Sequence, residues 1–363
     1  MRIAQIAPLV ESVPPRLYGG TERIVSYLTE ELIGLGHDVT LFASGDSITS
    51  AKLQSCVPRA LRLDNTVKDV IPYYVLMLDR VRRNAKRFDI LHFHIDHLHF
   101  PLFRSLSNRA VTTLHGRQDL ADLKPLYVGF EDMKLVSISN AQRRPITSAN
   151  FVATIHHGLP ENLLAPTMRP QGGYLAFLGR LAPEKGAEQA VQIARAVGVP
   201  LKISAKVDPV DQVYFEQRIV PLLGEPGVEY IGEISERQKA SFLGEALGLL
   251  FPIDWPEPFG LVMIEAMACG TPVMAFRRGS VPEIIEDGRT GFIVDNVEEA
   301  VLKMSRLIAL DRSRIRQVFE QRFTAARMAR DYVELYQSMI ATSGQDRVDK
   351  PPPRADTPAE TVN

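Results

Sequence analysis

The sequence predicts an α/β protein of two doubly wound domains in series, each a parallel sheet covered by helices, with a cleft between them. Three observations carry that reading. The chain has 363 residues, which is about two domains at the usual ~150 residues each. Short β-rich runs alternate with amphipathic stretches through the first half. Around residues 160–173 (PENLLAPTMRPQGG) the periodicity is lost and Pro and Gly collect, after which the alternation restarts.

Arg2 to Ala7 reads as the first strand, followed by a loop with Pro8, Pro14, Pro15, Gly19 and Gly20. Ile24, Val25, Leu28, Leu32 and Leu35 then recur at helical spacing, and Gly34 and Gly36 end that helix. Further strands are expected at 38–43, 89–93, 110–114, 134–138 and 152–156. Beyond the break, strands are expected at 174–178, 201–205, 228–231, 247–251, 272–275 and 291–294. Helices are expected at 186–197, 211–223, from Glu236, and at 260–268. Arg312 to Ile340 reads as mostly helical, with Phe319, Phe323, Met328, Tyr332, Tyr336 and Met339 as apolar contacts. From Thr342 the chain is Pro-rich and nearly without large apolar residues, the composition of a disordered tail.

Lys plus Arg total 42 against 43 Asp plus Glu, so no basic field points to a nucleic-acid partner. The two cysteines, Cys56 and Cys269, fall in no metal-ligand spacing and fit a reducing, cytoplasmic setting. The first ten residues read as a strand rather than a signal peptide, and no apolar run is long enough to span a bilayer.

The most informative segment is 254–271, DWPEPFGLVMIEAMACGT. Pro256 and Pro258 keep Glu257 in a loop ahead of a helix that starts near Gly260. The amides of Phe259, Gly260 and Leu261 then form an anion-binding terminus. Glu265 stands among apolar residues, where a carboxylate needs donors. A ribose diol supplies two, and an ion pair with Arg277 or Arg278 is the structural alternative. A second segment, FLGRLAPEKG at 177–186, places Arg180 and Lys185 at the carboxyl edge of a domain's first strand. Arg as a fork and Lys as a point charge suit a diphosphate, although surface loops also carry such pairs.

Glu257 and Glu265 form E-x7-E within EPFGLVMIE, with GRLAPEKG about seventy residues upstream. Together with Tyr18-Gly19-Gly20-Thr21-Glu22, Thr113-Leu114-His115-Gly116 and GSVPEIIEDGRTGFIV, these motifs resemble a family 4 retaining glycosyltransferase of the GT-B fold. The resemblance covers roughly residues 1–340. It implies a Rossmann-like acceptor-side domain over 1–165 and a Rossmann-like nucleotide-sugar-binding domain over 166–322. A helix over 323–341 would cross back to the N-terminal domain, ahead of a tail over 342–363. By the resemblance, Arg180 and Lys185 hold the donor diphosphate and Glu265 the ribose. Glu257, with the Phe259–Leu261 backbone, holds the transferred sugar; His115 reaches it from the N-terminal domain, and Gly20 approaches the phosphate or acceptor. His156-His157-Gly158 departs from the Asn-Gly of many relatives, and no role is assigned to His157.

The competing constellation is LHFHIDHLHF at 91–100, where His92, His94, His97 and His99 cluster. His92 and His94 share a strand face as zinc ligands do in H-x-H hydrolases, but no clear further ligands accompany them. The bland alternative is a strand end whose polar residues face water or acceptor across the cleft. A basic run (Arg80, Arg82, Arg83, Lys86, Arg87) lies on a helix with an apolar opposite face. It is either a solvated face or a peripheral contact with anionic lipid at the inner membrane surface.

No D-x-D triplet occurs, so charge on a departing nucleoside diphosphate must be met by Arg180, Lys185 and helix-terminus amides, without metal or cofactor. The resemblance implies transfer from a nucleoside-diphosphate sugar to a saccharide, lipid-linked or small-molecule hydroxyl. A zinc hydrolase built on the histidines and a non-catalytic nucleotide-sugar binder are the rival readings. A nicotinamide enzyme is disfavoured because the first strand–helix junction lacks G-x-G-x-x-G.

Overall fold

The computed structural model describes residues 1–16 and 19–348; Tyr18 and the part of the expected tail beyond 348 lie outside the described residues. The first half holds the strands Arg2–Ile6 (β1), Asp38–Ser44 (β2), Lys52–Val57 (β3), Ile90–Phe93 (β4), Ala110–Thr113 (β5), Lys134–Ser137 (β6) and Phe151–Thr154 (β7). They form one sheet in the order β3-β2-β1-β4-β5-β6-β7, parallel throughout. The second half holds Leu175–Arg180 (β8), Leu201–Lys206 (β9), Val228–Gly232 (β10), Gly248–Phe251 (β11), Val273–Phe276 (β12) and Gly291–Val294 (β13). These form a second parallel sheet in the order β10-β9-β8-β11-β12-β13. β4, β5, β11, β12 and β13 are buried throughout and mostly apolar, as strands covered on both faces are, with His92, Thr112 and Thr113 the buried polar exceptions. β3 is an edge strand whose polar sequence, KLQSCV, carries no such pattern, which is why the sequence does not announce it.

Strand order reverses beside the first strand of each sheet: β1 lies between β2 and β4, and β8 between β9 and β11. In open parallel sheets a crevice opens at the carboxyl ends of such a pair. Here the two crevices face each other across the cleft, lined from the N-terminal half by Gly20 and His115 and from the C-terminal half by Arg180 and Leu261.

The helices that matter to the site are Gly20–Gly34 (α1), Ile71–Asn84 (α2), Ala187–Val197 (α3), Glu236–Gly244 (α4) and Leu261–Ala268 (α5). Toward the C-terminus follow Val297–Ile308 (α6), Arg312–Arg322 (α7) and Ala325–Val348 (α8). The stretch expected as mostly helical over 312–340 is two helices, and the second, expected over 323–341, starts at Ala325 and runs past the expected end. The break has a local cause. Leu159 donates its amide to the Phe323 carbonyl at 2.9 Å and accepts from the Ala325 amide at 2.7 Å. Phe323 and Thr324 therefore pair with the interdomain strand end instead of continuing a helix. Gly158 makes room for this crossing, since a Cβ there would stand 2.2 Å from the Thr324 carbonyl oxygen.

α7 packs its Ile315, Val318 and Phe319 with Met263, Ile264 and Met267 of α5 in the C-terminal core. Beyond the break, α8 buries Met328, Ala329, Tyr332, Tyr336 and Met339 against Ile24, Leu28 and Leu32 of α1 and against strands of the first sheet. The chain therefore returns to the N-terminal domain, and the architecture is a GT-B fold. Two buried guanidiniums tie α7 to the linker and to the ends of α4 and α5: Arg312 donates to the carbonyls of Thr167, Gly244 and Ala246, and Arg316 to those of Glu161, Leu164 and Ala268. Irregular linker backbone needs such donors, because its carbonyls have no ladder to join. No helix of the described residues is long and apolar enough to cross a membrane.

Candidate functional site

Between the two sheets lies a cleft of about 520 Å³, adjoined by a second cavity of about 190 Å³. His115, Arg180, Lys185, Glu257, Gly20, Phe259, Gly260 and Leu261 all line the larger one. Glu265 lines the smaller, which shares Gly20 and Leu261 with its neighbour. The nine residues singled out from the sequence therefore converge on one continuous hollow.

Arg180 ends β8, and a short turn over Pro183–Lys185 brings Lys185 beside it. Lys185 Nζ lies 2.7 Å from Glu257 Oε2, which also accepts from Trp255 Nε1 at 3.0 Å. The Lys185 ammonium stands 4.5 Å from the centre of the Trp255 ring, so cation, carboxylate and indole form one cluster. Arg180 is flanked by carboxylates: Glu184 at 2.6 Å, Asp211 at 3.5 Å and Asp208 at 3.6 Å. Burial pushes the Asp211 carboxyl up, with Arg180 opposing the shift. Any anion approaching the guanidinium would have to compete with these acids.

Gly260 is the N-cap of α5, with φ of 79°. That left-handed turn lets the chain swing from the Pro-flanked loop into the helix, and it aims the first amides of α5 at the cleft. Glu265 sits one turn in, 4% exposed. Its partner is neither Arg277 nor Arg278, which pair with Asp295 and Asp254. Instead Lys239 on α4 reaches it at 2.6 Å. Lys239 also lies 3.6 Å from Glu236, which is paired with Arg23 on α1. The ion-pair alternative is thus realised with a partner the local sequence does not reveal, in a chain of charges that crosses the cleft.

Glu283, within GSVPEIIEDG, is a second residue the sequence left without a role. Its carboxylate accepts from the amides of Asn140 and Ala141 at 2.7 Å each and lies 3.4 Å from His156 Nε2. Burial alone would raise its pKa, but the bonds from His156 and the two amides outweigh it and hold the carboxyl below its usual range. Ser139 adds a bond to the Pro258 carbonyl at 2.6 Å. The N-terminal half therefore grips the Pro256–Pro258 loop and the Glu283 segment directly.

The histidine-rich segment is not a polar strand end facing water. His92 and His99 are fully buried and His94 nearly so. His92 is bonded through both ring nitrogens, to Thr113 Oγ1 and to Tyr336 Oη, each at 2.7 Å. His94 joins Gln5 Oε1 at 2.8 Å and His115 Nε2 at 2.9 Å, and His99 joins Thr112 Oγ1 at 2.9 Å. The ring nitrogens of the H-x-H pair are already engaged in hydrogen bonds within the protein, and no group of three potential metal ligands occurs among the described residues. Desolvation lowers the pKa of His92, His94, His99, His115 and His157, that of His115 to about 3. His157 also belongs to the site. It lines the cleft between a stacking contact to His115 (ring centres 5.2 Å apart) and an edge contact to Phe259. Only its departure from Asn could have flagged it.

The basic run lies on and just beyond α2, and Leu78, Val81 and Ala85 are its buried face. Arg80 donates to the Ser55 carbonyl, Arg82 to Ser105 and Arg83 pairs with Asp79.

Comparison with known proteins agrees with this geometry. Residues 18–157 match the family model for Glycosyltransferase Family 4, and residues 166–322 that for Glycosyl transferases group 1. The chain is 24% identical to N-acetyl-alpha-D-glucosaminyl L-malate synthase of Bacillus anthracis, over 89% of this chain and 94% of that one. Matches to other curated relatives span less of them, 46% of a Klebsiella pneumoniae protein and 32% of an alpha-maltose-1-phosphate synthase of Mycolicibacterium smegmatis. Among solved structures, sucrose-phosphate synthase from Thermosynechococcus elongatus superposes with a TM-score of 0.75 at 18% identity, covering 94% of this chain and 99% of that one. Anabaena HepE in complex with UDP-glucose superposes with a TM-score of 0.71 at 18% identity, covering 93% and 100%. With both halves matched by glycosyltransferase models and joined in a GT-B architecture, the chain belongs to the family 4 glycosyltransferases.

Proposed function

We propose that the protein transfers a sugar from a nucleoside-diphosphate sugar to an acceptor hydroxyl, with retention at the anomeric carbon and without a metal ion. The observation that carries this reading is the convergence of Lys185, Glu257 and the amino end of α5 at one wall of the cleft, with His115 on the opposite half. The Anabaena neighbour binds UDP-glucose, which makes that compound the first donor to try.

Cleaving the sugar–phosphate bond builds negative charge on the departing phosphate. Arg180, Lys185 and the first amides of α5 are the groups near enough to meet it, the two side chains turning from their carboxylate partners as the donor binds, and charges set before the bond breaks lower the barrier. Glu265 and Lys239 frame the smaller cavity, where the ribose hydroxyls would share the carboxylate. Glu257, once Lys185 turns to the diphosphate, orients sugar hydroxyls. A strong protein base is not needed if the leaving phosphate takes the acceptor's proton on the same face, so catalysis is positioning plus electrostatics. Arg180 and Lys185 supply the charge that a metal ion supplies in enzymes with a D-x-D clamp.

A thermal-shift series across nucleoside diphosphates and their sugars tests the donor, because binding to the native state raises the melting temperature. Product analysis with the best donor then reads the anomeric configuration. Binding without turnover over a broad acceptor panel would favour the non-catalytic sensor. Peripheral contact with anionic lipid is a second reading, carried by Ile71, Val75 and Leu76, which are exposed on the helix that bears the basic run. Flotation with anionic and neutral vesicles tests it, and equal recovery with both would reject it.

A further inference from the structure

We propose that His157 is a substrate-binding residue of the donor site, whose imidazole bonds a hydroxyl of the transferred sugar. The inference rests on the donor reading above and adds a residue to it.

His157 is 3% exposed, yet no described residue forms a hydrogen bond to its ring, and its Nδ1 is a buried nitrogen without a partner. His92, His94, His99 and His115 differ, since each has at least one ring nitrogen bonded to another side chain. Buried polar groups in folded proteins are nearly always paired, so an imidazole left without a partner marks a place that water or a ligand fills.

The ring is held where it is. It stacks on His115, with centres 5.2 Å and planes 17° apart, and crosses Phe259 edge-on with centres 4.9 Å apart. Its main chain is fixed as well. Arg327 on α8 donates to the carbonyls of His156 and His157 at 2.7 and 3.1 Å. The next two residues, Gly158 and Leu159, lie against the break between α7 and α8. A hydrogen-bonding group held this firmly loses little freedom when a ligand arrives.

Its place in the hollow selects the part of the ligand it meets. His157 lines the larger cavity with Glu257, Phe259 and His115, and does not line the smaller one, where Glu265 and Lys239 stand. It therefore faces the region that the donor reading gives to the sugar and not to the ribose. Charge points the same way. Desolvation first, then His115, Arg327 and His156, keep the ring neutral at neutral pH. A neutral imidazole adds no charge to attract a phosphate. It offers one donor and one acceptor, and a sugar hydroxyl both gives and takes, so the contact forms whichever nitrogen bears the proton.

The test uses the full-length protein at neutral pH, with UDP and UDP-glucose as calorimetric probes. His157→Phe keeps both ring contacts and removes both nitrogens. UDP-glucose should bind it about tenfold more weakly, the worth of one hydrogen bond between neutral groups, and UDP should bind as before. Analogues of UDP-glucose that each lack one sugar hydroxyl then identify the contact. One of them should be weakened in the wild type yet bind His157→Phe as tightly as UDP-glucose does, a coupling that a merely structural role does not produce. In the wild type labelled with 15N at histidine, the His157 ring signals should differ between the UDP and UDP-glucose complexes. Unchanged affinity of His157→Phe for UDP-glucose overturns the proposal. So does an equal weakening of UDP and UDP-glucose, or a set of analogues that each lose as much in the variant as in the wild type. If His157→Phe does not fold, the wild-type spectra decide, and His157 signals identical in the two complexes overturn the contact. A wild type that binds neither compound overturns the donor reading and this contact with it, whereas binding of both with His157 indifferent overturns the contact alone.

Discussion

Lowering the pH from 7.5 to 5.5 should reduce folding stability through the buried histidines. His92, His94, His99, His115 and His157 are neutral in the folded state, each held below its ordinary pKa first by desolvation. In the unfolded chain they titrate near 6.5. Below that pH the unfolded state binds more protons than the native state, so stability falls as the pH falls. For a group whose native pKa lies well under 5.5, the linkage is worth about 1.4 kcal/mol at pH 5.5 relative to neutral pH. His115, held down to about 3, contributes on that scale, and the other four act in the same direction. Arg327 beside His157 works in the same direction. Urea melts followed by tryptophan fluorescence and far-UV circular dichroism at pH 7.5, 6.5 and 5.5 would measure the loss as a falling midpoint. A midpoint that stays level from pH 7.5 to 5.5 would refute the reasoning, as would ring resonances of these five histidines that titrate near 6.5 in the folded protein.

Arg180→Ala and Lys185→Ala should each lower turnover on the order of a hundred- to a thousandfold, the scale of a lost oxyanion donor, and also weaken free nucleoside diphosphate; near-normal kcat in both would place the diphosphate elsewhere. Glu265→Gln should loosen the nucleotide while kcat at saturating donor falls less, since it removes a ribose contact and not a charge on the leaving group; a larger fall in kcat than in affinity would contradict that role. Turnover should survive exhaustive chelation, and loss of activity restored by a divalent ion would reject the metal-free reading. Arg312→Met should destabilise by about 2–4 kcal/mol, because the buried carbonyls of Thr167, Gly244 and Ala246 lose their donor; an unchanged melting temperature would contradict it.

Much of the site was legible in the chain alone, for a local reason. Pro256 and Pro258 around Glu257, and a carboxylate at 265 inside an apolar helix, are departures from the pattern that backbone sterics and burial impose on neighbouring residues. Arg180 and Lys185 stood out in the same way, as two cations where a strand gives way to a helix. The alternation of strands and helices likewise follows from side-chain periodicity, which each segment carries by itself. What only the tertiary structure decided are the pairings between segments far apart. Lys239 reaches Glu265 because α4 packs beside α5, and Asp208 and Asp211 reach Arg180 because β9 lies against β8. The long C-terminal helix breaks at Phe323 and Thr324 because Leu159 competes for their backbone bonds. The histidines of 92–99 became a buried, neutral network because β1, β4 and β5 lie side by side under α8, which brings Gln5, Thr113, Tyr332 and Tyr336 within hydrogen-bond reach. A histidine beside water, a metal or a tyrosine has the same neighbours in sequence, and only packing selects among them, because the cost of leaving its nitrogens unpaired arises only once they are buried.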